Sequence, residues 1–130
     1  MKSISKVIFL LIILTYAQSM VAQQKGFGPH GGRLKSAGNY KIELFGCDDH
    51  LEIYLFDRDT NAINNNGIIG TVEFYFNGST TLISTIARYG VDGFTARIPS
   101  MNFMYSKPAL DINGTFIVTQ KFDNECLQPR

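Results

Sequence analysis

The sequence has little net charge, few cysteines and only one long apolar run. Its 130 residues carry 12 basic and 11 acidic side chains, a formal net charge of +1. This balance gives no electrostatic footprint for nucleic acid or for an anionic membrane surface. Two cysteines, Cys47 and Cys126, allow at most one disulfide bond in an oxidising compartment, and whether they pair is left open. No nucleophile motif such as G-x-S-x-G is present, which favours a protein that is not an enzyme.

The longest apolar run lies close to the N-terminus. Lys2 and Lys6 precede the apolar residues 7–14, and a polar stretch of small residues follows as far as Ala22. This order is typical of a cleaved signal peptide, and the run is shorter than the roughly 20 residues that span a bilayer. We therefore expect residues 1–22 to be a signal peptide and the mature protein to be periplasmic or secreted, with no integral membrane span. Cleavage would leave 10 basic against 11 acidic residues, a net charge of about −1.

The remaining chain alternates apolar and polar residues in short runs that are separated by turn-forming residues. Alternation with a period of two is typical of β-strands that bury one face. Three hairpins are predicted: residues 40–45 with 51–56 through a five-residue connection, 71–76 with 80–87 through Asn77-Gly78, and 104–112 with 115–122 through Asn113-Gly114. Residues 94–98 supply one more strand. About seven strands of this kind predict an all-β fold, either a small antiparallel β-sandwich or a small barrel.

The domain boundaries follow from these runs. Just over a hundred residues remain after the leader, enough for one domain with its own core. We expect a flexible N-terminal segment over residues 23–31, the β-domain over 32–122 and a C-terminal tail over 123–130. Pro108 cannot donate to a strand ladder, so its strand is predicted to lie at a sheet edge or to carry a bulge.

A short motif at the start of the β-domain is more specific than these patterns. The run Gly28-Pro29-His30-Gly31-Gly32-Arg33 is followed by Glu43-Leu44 on the first predicted strand. This resembles the opening of the small N-terminal β-domain of periplasmic adaptor subunits from cobalt-zinc-cadmium type heavy-metal efflux pumps. The resemblance extends from Gly28 to about Ile63. It implies a stand-alone relative of that domain, because the chain has nothing to form the long α-helical hairpin or the lipoyl-like halves of a whole adaptor.

Two alternative metal sites are predicted from histidines that lie near carboxylates. Imidazole and carboxylate groups suit divalent transition metals such as zinc or copper. The first site would use His30 with Asp57 or Asp59, and the second His50 with Asp48 or Asp49, which Cys47 would join if its thiol were free. An intervening strand separates the two histidines by roughly 20 Å, so they cannot share one ion. The resemblance favours the site at His30. The alternative to metal binding is that the aspartates only form hydrogen bonds within their own turns.

Two functions remain open from the sequence. The first is an exported accessory domain that binds a divalent transition metal or docks to a component of a heavy-metal efflux pump. The second is a non-catalytic β-sandwich interaction module that binds another exported protein or a different ligand through a sheet edge or turns, without metal. Neither function involves nucleic acid.

Overall fold

A computed structural model describes residues 26–125, which form ten β-strands and no helix. The strands are β1 (Arg33–Ala37), β2 (Tyr40–Cys47), β3 (His50–Asp57), β4 (Ile68–Tyr75), β5 (Thr81–Thr85), β6 (Ala87–Tyr89), β7 (Gly93–Arg97), β8 (Tyr105–Ile112), β9 (Phe116–Thr119) and β10 (Phe122–Asp123). None of these residues belongs to a helix that could cross a membrane. The predicted signal peptide and most of the predicted C-terminal tail lie outside the described residues.

The strands form two open antiparallel sheets of five strands each, which pack as a β-sandwich. The first sheet has the order β1-β2-β3-β7-β6. In the second sheet β5 pairs with β4 and β4 with β8, while β9 and β10 both pair with the far side of β8. Because both sheets are open, the predicted all-β sandwich is confirmed and the barrel alternative is not adopted.

The core lies between the inner faces of the two sheets. The predicted alternation along the first hairpin is confirmed, since Ile42, Leu44, Leu51, Ile53 and Leu55 are all buried. The second sheet contributes Val72, Phe74, Leu110 and Ile112 from the opposite side. Burying an aliphatic or aromatic side chain of this size stabilises the fold by roughly 1.5–3 kcal/mol. The period of two in the sequence therefore determines which face of each strand joins the core.

The structure has more strands than the seven that the sequence predicted. The whole of β1 was missed, and it pairs with β2 through a two-residue turn at Gly38, whose φ is +65°. The predicted strand over residues 80–87 is divided at Ile86, where the chain leaves the edge of the second sheet and enters the edge of the first. Ile86 still donates its N–H to the carbonyl of Gly70 at 3.2 Å. The single strand predicted over residues 80–87 is therefore two strands, one in each sheet.

The turns follow the predicted chemistry with two shifts. Asn113 and Gly114 both have positive φ, at 55° and 70°, as the predicted type I′ turn requires. In the hairpin between β4 and β5 the positive φ values fall one residue later than expected, on Gly78 and Ser79. In the first hairpin the strands pair as far as Cys47 with His50, so the connection has two residues rather than five.

Pro108 lies in an interior strand whose register with β4 is continuous, so neither the predicted edge strand nor the predicted bulge is found. β8 pairs with β4 along its whole length, while its other side pairs with β9 up to Ala109 and with β10 from Ser106. The edge next to Pro108 is thus interrupted, and no flanking strand pairs with Pro108 on that side within the described residues. Proline lacks a backbone N–H, and this is tolerated because no strand of the described residues lies there to accept a hydrogen bond from it.

Candidate functional site

Glu43 is a buried carboxylate on the outer face of the first sheet. Alternation along β2 directs Ile42 and Leu44 into the core, so Glu43 between them points away from it. The side chain is nevertheless 0% exposed, because residues 26–32 fold over it. Burial of an ionised carboxylate is costly unless hydrogen bonds compensate for the lost water. The segment that covers Glu43 must therefore provide donors.

The donors come from His30 and Gly32. The N–H groups of His30 and Gly32 donate to Oε2 of Glu43 at 2.9 and 2.8 Å, and Nδ1 of His30 lies 2.8 Å from Oε1. An ionised carboxylate can only accept, so with a charged Glu43 this contact takes the imidazole tautomer that has its hydrogen on Nδ1. The imidazole also stacks on the ring of Tyr54, with centroids 3.6 Å apart and planes 8° from parallel. We call this arrangement of His30, Gly32, Glu43 and Tyr54 the His30–Glu43 centre.

Tyr54 is held firmly beneath the imidazole. Burial raises the pKa of its phenol, and the hydrogen bond that the phenol donates to Glu52 raises it further. On its other side lies Gly93, where a Cβ would come within 2.9 Å of the Tyr54 ring. The ring is therefore neutral and fixed, and it serves as a platform for His30.

The other residues of the Gly28-Pro29-His30-Gly31-Gly32-Arg33 motif serve the same arrangement. The N–H of Gly31 donates to the carbonyl of Gly28 at 3.0 Å, a turn that places proline at its favoured second position. A Cβ on Gly28 would overlap the carboxyl group of Glu43, and one on Gly32 would lie 2.6 Å from the carbonyl oxygen of Leu44. The motif thus forms a compact cap on a buried carboxylate.

Arg33 ends the motif and joins it to the other end of the chain. Its guanidinium lies 4.6 Å from the centroid of the Phe27 ring and contacts the carboxylate of Glu125 at 2.8 and 3.2 Å. The hydrogen bond to Glu125 raises the pKa of Arg33. Residues 26–31 therefore contact the first sheet, and the flexibility expected of residues 23–31 stays a prediction.

The structure does not bring together the residues of the first predicted metal site. His30 binds Glu43, and no hydrogen bond or ion pair joins it to Asp57 or Asp59. Asp57 lies three residues beyond Tyr54 on β3, roughly 10 Å away at 3.3 Å per residue. Its carboxylate accepts the N–H groups of Asp59 and Asn61, each at 2.9 Å. The hydrogen bond from the Asn61 backbone is the main reason why the pKa of Asp57 is lowered.

The second predicted metal site is partly assembled. His50 opens β3, and its Nδ1 lies 3.2 Å from Oδ1 of Asp49. This hydrogen bond lowers the pKa of Asp49. Asp48 occupies the turn with a φ of +44°. Among the residues that the structure describes, no group of three or more histidine, cysteine, aspartate or glutamate side chains could hold a metal ion.

The predicted disulfide bond falls outside the described structure, which includes neither the side chain of Cys47 nor any part of Cys126. Their chain neighbours Gly46 and Glu125 are described, and both line a cavity of about 260 Å³ at the side of the sandwich. Arg33, Lys35 and Asp123 also line it, so this cavity is charged. The pairing of the two cysteines stays a prediction.

A groove without charge lies further along the same side of the sandwich. It has a volume of about 600 Å³ and is lined by residues 36–40, at the turn between β1 and β2, and by residues 116–120, on and after β9. We call it the neutral groove, since none of its ten lining residues is charged. The rings of Tyr40 and Phe116 meet across it with centroids 5.5 Å apart.

Sequence reasoning missed both the role of Glu43 and the neutral groove. Glu43 had a signal, because a lone carboxylate between two inward-facing apolar residues must find partners on the outer face. The groove had none, since its two walls come from strands about eighty residues apart in the chain. Comparison with protein-family models, with curated proteins and with solved structures gives no match. The resemblance to metal-efflux adaptors accordingly stays a prediction.

Proposed function

We propose that the chain is an exported, non-catalytic interaction module that holds an extended, uncharged segment of a partner protein in the neutral groove. The observation that carries this proposal is the groove itself, which combines about 600 Å³ of space with an uncharged lining and an accessible strand edge. Within the described residues β9 pairs with β8 alone, so its other edge faces the groove. An extended peptide can add to such an edge through main-chain hydrogen bonds.

The alternation along β9 defines what the added segment would meet. Phe116 and Val118 pair with the inward-facing residues of β8, whereas Ile117 and Thr119 belong to the outer face. A bound segment with the same alternation would place every second side chain against Tyr40 and Phe116. A charged side chain there would lose water without gaining a partner, so the groove selects against charge.

A display library of random heptapeptides tests the proposal, with the mature protein, Phe116→Ala and Ile83→Ala as baits. Phe116→Ala removes one wall of the groove, while Ile83→Ala removes another exposed apolar side chain, from the opposite edge of the second sheet. We expect enrichment of peptides that lack charge at their central positions, with binding weakened about tenfold by Phe116→Ala and unchanged by Ile83→Ala. Enrichment that is equal on all three baits, or is absent, contradicts the proposal.

Metal binding is a second candidate function, and the orientation of His30 favours it. Metal-bound histidines usually donate their other ring N–H to a carboxylate, which fixes the ring. Glu43 performs this role for Nδ1, so Nε2 is the ring nitrogen left over in a side chain that is 36% exposed. Since the described residues offer no complete ligand set, water or a docked partner would complete the coordination. The sequence resemblance makes a heavy-metal efflux component the corresponding partner.

Titration of zinc and of copper(II), followed by calorimetry, tests this second candidate on wild type, His30→Asn and His50→Ala. Asparagine retains a side-chain N–H for Glu43 but lacks Nε2, so it separates ligand loss from loss of the cap. Loss of binding in His30→Asn alone supports the His30–Glu43 centre, and loss in His50→Ala alone moves the site to the turn at Asp48 and Asp49. No heat change in wild type rules out the metal function.

A further inference from the structure

The four sheet edges differ in how they are protected against pairing with another strand. In the first sheet β1 carries Arg33 and Lys35, and the three-residue β6 carries Arg88. Short strands and basic side chains are common means of preventing edge-to-edge association. In the second sheet, β5 and β9 contain neither charge nor proline. Arg33 is paired with Glu125, and residues 26–28 pair with the start of β1, so that edge is partly covered. β6 is only three residues long, which leaves β5 and β9 as the edges without such protection.

β5 is the more open of the two unprotected edges. Leu82 and Ile83 are 45% and 64% exposed, and among the described strands β5 pairs with β4 alone. The strand is also held in position, because the hydroxyl of Ser84 donates to the carbonyl of Arg97 in the first sheet at 2.7 Å. A fixed strand with one free edge needs little ordering before another strand adds to it.

The sequence of β5 is suited to pairing with itself. From these features we propose that two copies of the protein form a two-fold dimer in which their β5 strands pair antiparallel about Ile83. This register pairs Ile83 with its own copy, Thr81 with Thr85 and Leu82 with Ser84. Ile83 aligns with Glu73 on β4, so it lies on the outer face, as do the two threonines. β-Branched pairs and threonine pairs are favourable across strands, and no charge opposes another along the pair.

The dimer would join two second sheets into one continuous ten-stranded sheet. A two-fold contact of this kind is closed, so it gives a dimer and not a filament. A five-residue strand pair buries less than the roughly 1,000 Å² of a stable complex, so the association is weak. The neutral groove lies at the β9 edge, on the other side of the second sheet, and stays accessible. The dimer therefore stands independently of the proposed peptide binding.

Sedimentation velocity of the mature protein over a range up to about 0.5 mM tests the proposal at concentrations suited to a weak interface. The variants are Ile83→Lys, Ile69→Lys and Ile117→Lys. Ile69 is 69% exposed on the outer face of β4, outside the length of β4 that pairs with β5, and it provides the matched control. Ile117 marks the β9 edge. We expect a concentration-dependent dimer whose dissociation constant rises at least about tenfold in Ile83→Lys and stays unchanged in the other two.

Three results would overturn the dimer. The first is a wild-type protein that stays monomeric throughout the range, and the second is an Ile83→Lys variant that dimerises as well as wild type. The third is loss of the dimer in Ile117→Lys, which would assign the contact to the β9 edge. Circular dichroism of each variant checks that the fold is retained, which is expected because all three isoleucines are exposed.

Discussion

The outward-facing side chains of the first sheet are covered, and those of the second sheet are exposed. On the first sheet, Glu43, Tyr54 and Phe56 point outward and are still buried, since residues 26–32 cover them. On the second sheet, Ile69, Ile83 and Ile117 point outward and stay exposed. The same contrast holds at the edges, because β1 and β6 of the first sheet carry basic residues, whereas β5 and β9 of the second carry no charged residue.

The covered face of the first sheet therefore serves the stability of the fold, and the exposed face of the second sheet is the surface available for binding. The motif that contains His30 mainly donates hydrogen bonds to the buried carboxylate of Glu43, whereas the second sheet has exposed apolar side chains and unpaired strand edges. The features that attract attention in the sequence are therefore not the ones that offer the widest surface to a partner.

Replacing the buried carboxylate is expected to have the largest effect. Glu43→Gln keeps the shape but removes the charge that accepts three hydrogen bonds, and it turns an NH₂ group toward donors that need an acceptor. We expect a loss of about 3 kcal/mol in the free energy of unfolding. Glu73→Gln on the second sheet is the control, with an expected loss of less than about 0.5 kcal/mol. Urea denaturation measures both, and equal losses would abolish the contrast between the two faces.

The predicted disulfide is expected to come next. Gly46 belongs to the first sheet, and Glu125 follows the last strand of the second, so a bond between Cys47 and Cys126 would link the two sheets. Closing a chain loop of this length contributes about 2–4 kcal/mol. Mass spectrometry of protein from an oxidising compartment should find the two thiols joined, and reduction should lower the urea midpoint. Two free thiols would refute the bond and return Cys47 as a candidate ligand beside His50.

Gly28 tests whether the cap depends on close approach. In Gly28→Ala the new Cβ overlaps the Glu43 carboxyl group, so the cap must shift, at a cost of about 1–3 kcal/mol. Gly31→Ala is the comparison, because Gly31 has a φ of +81° and no neighbour within 4 Å. Its cost is backbone strain alone, about 1 kcal/mol. Amide exchange of the His30 N–H distinguishes them: it should speed up strongly in Gly28→Ala, and similar rates in both variants would contradict a steric cap.

The fold was accessible from the sequence because its main signals are local. A period of two assigned Ile42, Leu44 and the other inward residues correctly, and Asn113-Gly114 marked a turn of the expected type. β1 was missed because Arg33 and Lys35 occupy positions where a predicted strand would show apolar residues. They line the charged cavity at the sandwich side and do not enter the core.

The site was less accessible because its contacts are not local. His30 and Glu43 were both noticed, but His30 was assigned aspartates beyond the next strand as partners. Which carboxylate it meets depends on the path of residues 26–32: residues 26–28 pair with the start of β1, and the turn from Gly28 to Gly31 lies over Glu43. Local patterns do not contain that path. The neutral groove and the β5 edge likewise depend on which strands end up at the edges of a sheet, a property of the whole topology.

The smallest expected effect compares two turn aspartates, one in each sheet. Asp57 accepts two backbone N–H groups after β3, whereas Asp111 on β8 accepts one, from Gly114 at 3.0 Å. Asp57→Asn should therefore lower the melting temperature more than Asp111→Asn does near pH 7.

The pKa of Asp57 is lowered in the folded state, chiefly by the hydrogen bond from the Asn61 backbone. Its ionised form thus stabilises the fold above the unfolded-state pKa of about 3.9, and this contribution disappears as pH falls through the lower folded-state value. Thermal melts should show a gap between wild type and Asp57→Asn that is constant from about pH 7 to 5 and closes below about pH 4. A gap that persists in acid would mean that the asparagine acts through the turn geometry and that the charge of Asp57 contributes nothing to the end of the first sheet.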